Sequence, residues 1–190
     1  MINNFLSSSQ KQFEYYRQLG LKTMEQLSEE ELFIAPHEDG NSLATIVKHL
    51  SGNMLSRWTD FLNSDGEKEW RNRDGEFECN LSERNEVYNL WDKGWDCLFD
   101  ALDSIHENNF NNTIYIRNMG HTITEAVQRQ LGHYSYHVGQ MVLLGKIHKA
   151  ENWQSLSIPK GNSKEYNNEK FSQPRRRKHF TDDLMNGKNK

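Results

Sequence analysis

The 190-residue chain has few of the features that mark a secreted, membrane-bound or β-rich protein. Its two cysteines, Cys79 and Cys97, form no CxxC pair and suggest no disulfide framework. No apolar run approaches the ~20 residues that a membrane span needs, and the N-terminus lacks the basic and apolar regions of a signal peptide. We therefore expect a cytoplasmic protein with no membrane partner.

Proline is also rare in the sequence, and the net charge is small. Only three prolines occur, and none interrupts a long periodic segment, which favours long helices over a fold with many turns. The formal net charge is −4, and the main basic run, residues 175–179, lies in a polar C-terminal segment. Because a short basic run in such a segment is usually a solvated end, the sequence predicts no nucleic-acid partner.

The chain is instead rich in helical periodicity. Apolar residues recur at helical spacing in four long segments, which predict an all-α protein, a four-helix bundle. The predicted helices cover about residues 4–26, 42–62, 83–104 and 123–149. We expect N-caps from Asn41 or Ser42, from Ser82 and from Thr122.

The segments outside these helices include one long connection, one possible strand and a polar C-terminal segment. Residues 63–80 are dense in charge, glycine and asparagine, yet Trp70 and Phe77 give this connection anchors, so we expect it to be ordered. Residues 113–116 alternate weakly, as a short strand would. We expect one domain over residues 1–165 and a polar, disordered tail over residues 166–190.

The clearest functional pattern is a pair of histidines, His133 and His137, in the last predicted helix. Residues i and i+4 lie on one helix face a turn apart, so the two imidazoles can hold one divalent metal if a third ligand comes from elsewhere. His49, in the second helix, is the candidate. The alternative interpretation is that each histidine is a satisfied, half-buried residue packed beside aromatic side chains.

Three neutral imidazoles would leave a divalent ion with open positions for water or substrate, as in catalytic sites. Such an ion lowers the pKa of a bound water or thiol. Polar residues within one or two turns of a ligand are candidates to assist: Asn53, Arg57, Gln130 and Gln140. Cationic contacts to a carboxylate-bearing cosubstrate could come from Arg57, Arg71, Arg73 and Arg129. The alternative, which the sequence favours for each of them, is a surface salt bridge with one of the 27 acidic residues.

The histidine triad resembles the metal ligands of the DinB/YfiT-like superfamily of bacterial four-helix-bundle metalloenzymes. The resemblance covers about residues 5–165 and extends to one uncharacterised branch of that superfamily. The stretches that carry the branch resemblance are Ser56–Phe61, Asp65–Lys68, Trp70–Asp74, Gln130–Gln140 and Leu156–Gly161. Characterised relatives in the superfamily include bacillithiol S-transferases and a mycothiol-dependent isomerase.

The resemblance implies a three-histidine site for a divalent metal, zinc or nickel, often in a homodimer, with an unassigned reaction. Two functional classes remain open. One is an enzyme, either a metal-dependent thiol S-transferase acting on a small molecule and a low-molecular-weight thiol, or a hydrolase. The other is a non-catalytic metal- or ligand-binding bundle in which the triad serves stability or sensing.

Overall fold

The computed structural model describes residues 2–78 and 80–185, so Cys79 lies outside the described residues. The long helices are α1 (Ile2–Gln26), α3 (Leu43–Trp58), α4 (Arg84–Asp103) and α5 (Ile123–Lys149). The short helices are α2 (Glu29–Phe33), α6 (Ser163–Phe171) and α7 (Thr181–Met185). Strands β1 (Thr113–Ile116) and β2 (Met119–Thr122) form an antiparallel hairpin, and 3-10 turns lie at Asp74–Phe77 and Ala150–Asn152. The all-α prediction is therefore confirmed.

Local hydrogen bonds explain where the helices begin. Thr122 and Glu125 form a capping box at the start of α5, and the Ser42 hydroxyl accepts from the N–H of Thr45 at the start of α3. Helix α4 differs from the expectation, because its N-cap is Glu83 and not Ser82. Helix α3 also ends earlier than predicted, at Trp58, since the chain then turns through Asp60 with φ of +46°.

The four long helices share one core, with α3 packed on α4 and α5, and α1 packed on α5 and α4. Aromatic rings occupy its centre. The ring of Phe13 lies 6.4 Å from Trp95 and 5.8 Å from Tyr134, and Trp95 lies 5.8 Å from Tyr134. All three side chains are fully buried, so this cluster fixes the position of α5 relative to α1 and α4.

Helix α7 lies within residues 166–190, the segment that we expect to be a disordered tail. Helix α7 lies against α1, where Lys11 pairs with Asp182 at 2.7 Å and the Ser8 hydroxyl lies 3.2 Å from Nε2 of His179. Composition did not reveal this packing because ion pairs and hydrogen bonds between polar side chains contribute to it, with Thr181 buried beside them. Residues 186–190 of the predicted tail lie outside the described residues. None of the described helices has the length and apolar character to cross a membrane.

Candidate metal centre

Helix α3 is buried on almost every side, yet it carries a polar stripe. His49, Asn53 and Arg57 follow one another at intervals of four residues, which places them on one face of the helix. Their exposed fractions are 4, 5 and 6%. Buried polar groups destabilise a fold unless they find partners. The stripe therefore marks a place where the core is built around polar contacts.

The structure brings His49 together with His133 and His137 of α5. The Nε2 atom of His133 lies 3.4 Å from Nε2 of His49 and 3.1 Å from Nε2 of His137. One ligand nitrogen from each ring lies within 4.8 Å of the others, so the cluster could hold a metal ion. His49 is buried, and His133 and His137 are half-buried.

These spacings fit a divalent ion. Nitrogen ligands that lie about 2.0–2.1 Å from a tetrahedral ion are separated from one another by about 3.3–3.4 Å. The two measured Nε2 separations, 3.4 and 3.1 Å, are close to that value. In the described part of the chain the cluster contains no fourth histidine, cysteine or carboxylate, so an ion held there would keep a coordination position open.

Partners on the far side of two rings orient them. Nδ1 of His49 lies 2.9 Å from Oε2 of Glu76, and Nδ1 of His137 lies 2.7 Å from Oε1 of Gln140. Both partners are acceptors, so each Nδ1 carries its proton and donates, and each Nε2 keeps a lone pair for a metal. Gln140 is held in turn, because its Nε2 donates to the Tyr136 hydroxyl at 3.1 Å.

Glu76 is a buried carboxylate held by two neighbours. Arg71 donates from Nε to Oε1 at 2.7 Å and from Nη2 to Oε2 at 2.9 Å, beside the bond from His49. Burial opposes ionisation of this carboxyl, but hydrogen bonds from His49 and Arg71 outweigh it and lower its pKa. Glu76 is therefore ionised, and it holds His49 in the orientation that leaves the lone pair of Nε2 free of a proton.

A glycine in α3 allows Glu76 to approach His49 closely. Gly52 lies three residues after His49, and a Cβ at this position would lie 2.3 Å from Oε1 of Glu76. Glycine thus leaves room for the carboxylate beside the helix. On the same side, the ring of Phe77 stacks on His49 with 4.7 Å between ring centroids.

Electrostatics keep the two α5 histidines neutral. Burial lowers the pKa of His133 to about 3, with the neighbouring histidines adding to the effect, and burial lowers the pKa of His137 to about 4. An imidazole binds a metal only in its neutral form. Both rings are consequently ready to coordinate a metal at neutral pH.

The assisting residues suggested by the sequence have different positions. Asn53, Arg57 and Gln130 line a cavity of about 390 Å³ together with the three histidines. Gln140 does not line it and instead holds His137. Arg71 also lines the cavity, and its side chain is fixed by Glu76.

Sequence reasoning did not find Glu76. It lies in the charge-rich connection before α4, where nothing distinguishes it from the other acidic residues. The local clues were the aromatic anchor Phe77 one residue later and the glycine three residues after His49. Cys97 lies apart from the triad, with its thiol 3.6 Å from the Thr59 hydroxyl, and Cys79 is outside the described residues.

Fold and site together define a helical protein with a three-histidine cluster that opens on a cavity. The family model for "Protein of unknown function (DUF1572)" matches residues 1–162, and the chain belongs to this family. The match includes all three histidines and the connection that carries Glu76. No curated protein matches the chain.

Proposed function

We propose that this protein is a divalent-metal-dependent enzyme that acts on a small molecule, as a thiol S-transferase or a hydrolase. The observation that supports the proposal most is the spacing of the histidine Nε2 atoms beside an accessible cavity. Membership of the DinB/YfiT-like superfamily, which we also propose, is consistent with that spacing and with the helical fold. Zinc and nickel are the metals that we expect.

A divalent ion held by the triad would act as a Lewis acid and lower the pKa of a water or thiol in the cavity. The chain's own residues prepare the site for it. Glu76 and Gln140 fix the tautomers of His49 and His137, so that two lone pairs converge without reorganisation. Phe77 covers one face of His49 and excludes water from that side.

Asn53 is oriented by a chain of hydrogen bonds from the core. Nε1 of Trp58 donates to the Tyr134 hydroxyl at 3.1 Å, and this hydroxyl donates to Oδ1 of Asn53 at 3.2 Å. Because Oδ1 is engaged, the amide NH₂ of Asn53 remains a donor for a group bound in the cavity. We assign Asn53 the role of positioning substrate next to the metal ligands.

Titration with Co²⁺ tests the metal centre. Wild-type protein should bind one ion per chain, and His137→Ala should lose it, because two imidazoles hold a divalent ion much less well than three. His148→Ala is the matched control, since it removes an α5 histidine that does not belong to the cluster. Full cobalt occupancy in His137→Ala would refute the triad assignment.

Cobalt-loaded protein also tests for an open coordination position. Adding a low-molecular-weight thiol should change its visible absorption spectrum, because a new ligand alters the geometry of the ion. The loaded protein should also be assayed with a panel of thiols and electrophiles and with hydrolysable esters and amides. The non-catalytic alternative would be favoured if no substrate in the panel is turned over and no thiol changes the spectrum.

We further propose that the protein forms a homodimer through α5. Tyr136, Leu143 and Ile147 lie on one face of this helix, with 62, 58 and 59% of each residue exposed. An exposed apolar stripe of this kind is typical of an interface between copies of a chain. Sedimentation should give a dimer, and Leu143→Glu with Ile147→Glu should give a monomer. A wild-type mass that stays monomeric at all concentrations would contradict the proposal.

A further inference from the structure

The cavity beside the triad has an unusual distribution of charge. Five arginines line it, and no aspartate or glutamate among the described residues does so. The arginines come from several elements: Arg57 from α3, Arg71 and Arg73 from the connection before α4, Arg117 from the hairpin turn and Arg129 from α5. Five cations around one cavity repel one another and therefore favour an anionic occupant.

Two of these arginines are already paired with groups of the protein. Arg57 and Arg71 are buried, and both contact Oε2 of Glu67, at 3.0 and 3.3 Å. Arg57 also donates to the carbonyl of Gly66. The charges of these two arginines are therefore largely neutralised by the protein.

The other three arginines are more accessible. Arg73 and Arg117 have 51 and 53% of their side chains exposed, and Arg129 is also exposed. Arg73 lies over the ring of Phe77 and is 3.8 Å from the exposed carboxylate of Asp74. Nη1 of Arg129 lies 3.3 Å from Nε2 of His121. Arg117 pairs with Oε2 of Glu67 at 3.2 Å through Nη2. Because a guanidinium carries five N–H donors, all three side chains retain donors for a ligand.

The position of Arg117 is fixed by the two-residue turn between β1 and β2. Its φ is +55° and that of Asn118 is +60°, values that side-chain-bearing residues rarely adopt. Both backbone N–H groups donate to the carboxylate of Asp65 at 2.8 Å, which holds the turn in place.

Gln130 provides independent evidence of a ligand. It lines the cavity with only 3% of its surface exposed, and its buried Oε1 has no hydrogen-bond partner among the described residues. A buried amide without a partner is costly, so a bound group that donates to it would recover the lost free energy. Together with the free NH₂ of Asn53, it supplies polar contacts at the buried side of the cavity.

The remaining charge favours an anion. Four of the five guanidinium groups, all but that of Arg129, make ion pairs with three carboxylates, those of Glu67, Glu76 and Asp74. Five positive and three negative charges leave these eight side chains with a net charge of +2 before any metal is bound. We infer that the cavity binds its small-molecule substrate through an oxyanion group, a carboxylate or a phosphate, held by Arg73, Arg117 and Arg129. This inference rests on the proposed function, because it assigns the substrate class of the same site.

Calorimetric titration of metal-free protein tests the inference without contributions from a metal. Succinate and methyl phosphate are the two anionic probes, and succinamide is the uncharged control. We expect saturable binding of at least one anion, at one site per chain, and no binding of succinamide. Preference for succinate would identify a carboxylate substrate, and preference for methyl phosphate would identify a phosphorylated one.

The double variant Arg73→Gln with Arg129→Gln should weaken anion binding by about tenfold or more for each arginine, since charge-assisted hydrogen bonds are lost. Arg176→Gln is the matched control, because it removes one arginine outside the cavity. Equal anion affinity in wild type and in the double variant, or no anion binding at all, would overturn the inference.

Cobalt titration of the same preparations separates this inference from the proposed function. If cobalt binds at the triad and neither anion binds, only the substrate class is wrong. If anions bind to the metal-free protein while cobalt does not bind at the triad, the anion site stands and the proposed metal enzyme does not.

Discussion

Replacing Glu76 by glutamine tests how the triad is held. The carboxylate accepts three hydrogen bonds, one from His49 and two from Arg71, and every one of these partners is a donor. An amide of the same size offers one acceptor and one donor group. If the amide NH₂ faces His49, Nδ1 must accept, the proton moves to Nε2, and the lone pair that a metal needs is lost.

The size of the effect follows from the burial of this group. Removal of one partner from a buried ion pair costs about 3–5 kcal/mol. Arg71 keeps a contact with Glu67 at 3.3 Å, so we expect a loss of about 2–3 kcal/mol in the free energy of unfolding. Loss of a carboxylate that orients a metal-binding histidine typically weakens metal binding by about 10–100-fold.

Chelator competition with Co²⁺ or Zn²⁺ measures the affinity, and urea unfolding measures the stability. Glu67→Gln is the matched control, because Glu67 contacts Arg57 and Arg71 but none of the three histidines. It should reduce stability and leave metal affinity nearly unchanged. A folded Glu76→Gln protein that binds metal as tightly as wild type would refute the role of Glu76 in orienting His49.

Two further predictions concern the same region. Gly52→Ala should displace the Glu76 carboxylate and lower metal affinity as Glu76→Gln does, because the new Cβ would lie 2.3 Å from Oε1. Gly139→Ala is the control, since a Cβ at position 139 meets open space. Unchanged metal affinity in Gly52→Ala would contradict the role of close packing at Gly52. The metal-free protein should lose stability as pH falls from about 6.5 towards 4. The folded-state pKa values of His133 and His137, about 3 and about 4, lie below those of the unfolded chain, which therefore takes up protons first. Each ring contributes at most about 1.4 kcal/mol per pH unit, and less after solvent screening of these half-buried groups. Urea unfolding at a series of pH values measures this loss of stability. Equal stability at pH 7 and pH 5 would contradict the prediction.

The sequence predicted those parts of the fold that depend on local periodicity. The four long helices follow from apolar spacing, and the pairing of His133 with His137 follows from the geometry of a single helix. That His49 joins them depends on how α3 packs against α5, which the resemblance indicated and periodicity alone does not determine.

The parts that sequence reasoning missed depend on contacts distant along the chain. Glu76 reaches His49 across 27 residues, and the contact between them forms only when the connection before α4 folds over α3. Helix α7 likewise packs on α1 through contacts about 171 residues apart in the chain, which no local pattern reveals. Composition indicates how polar a segment is, but it does not show whether its polar groups will find partners.

The polar stripe of α3 links the stability of the fold to the preparation of the site. His49, Asn53 and Arg57 would each destabilise a buried helix without partners, and each is held by a different element of the structure. His49 depends on the connection before α4, Asn53 on Tyr134 of α5, and Arg57 on the chain that follows α3. The same contacts that allow these residues to be buried also orient them, so folding itself prepares the candidate site.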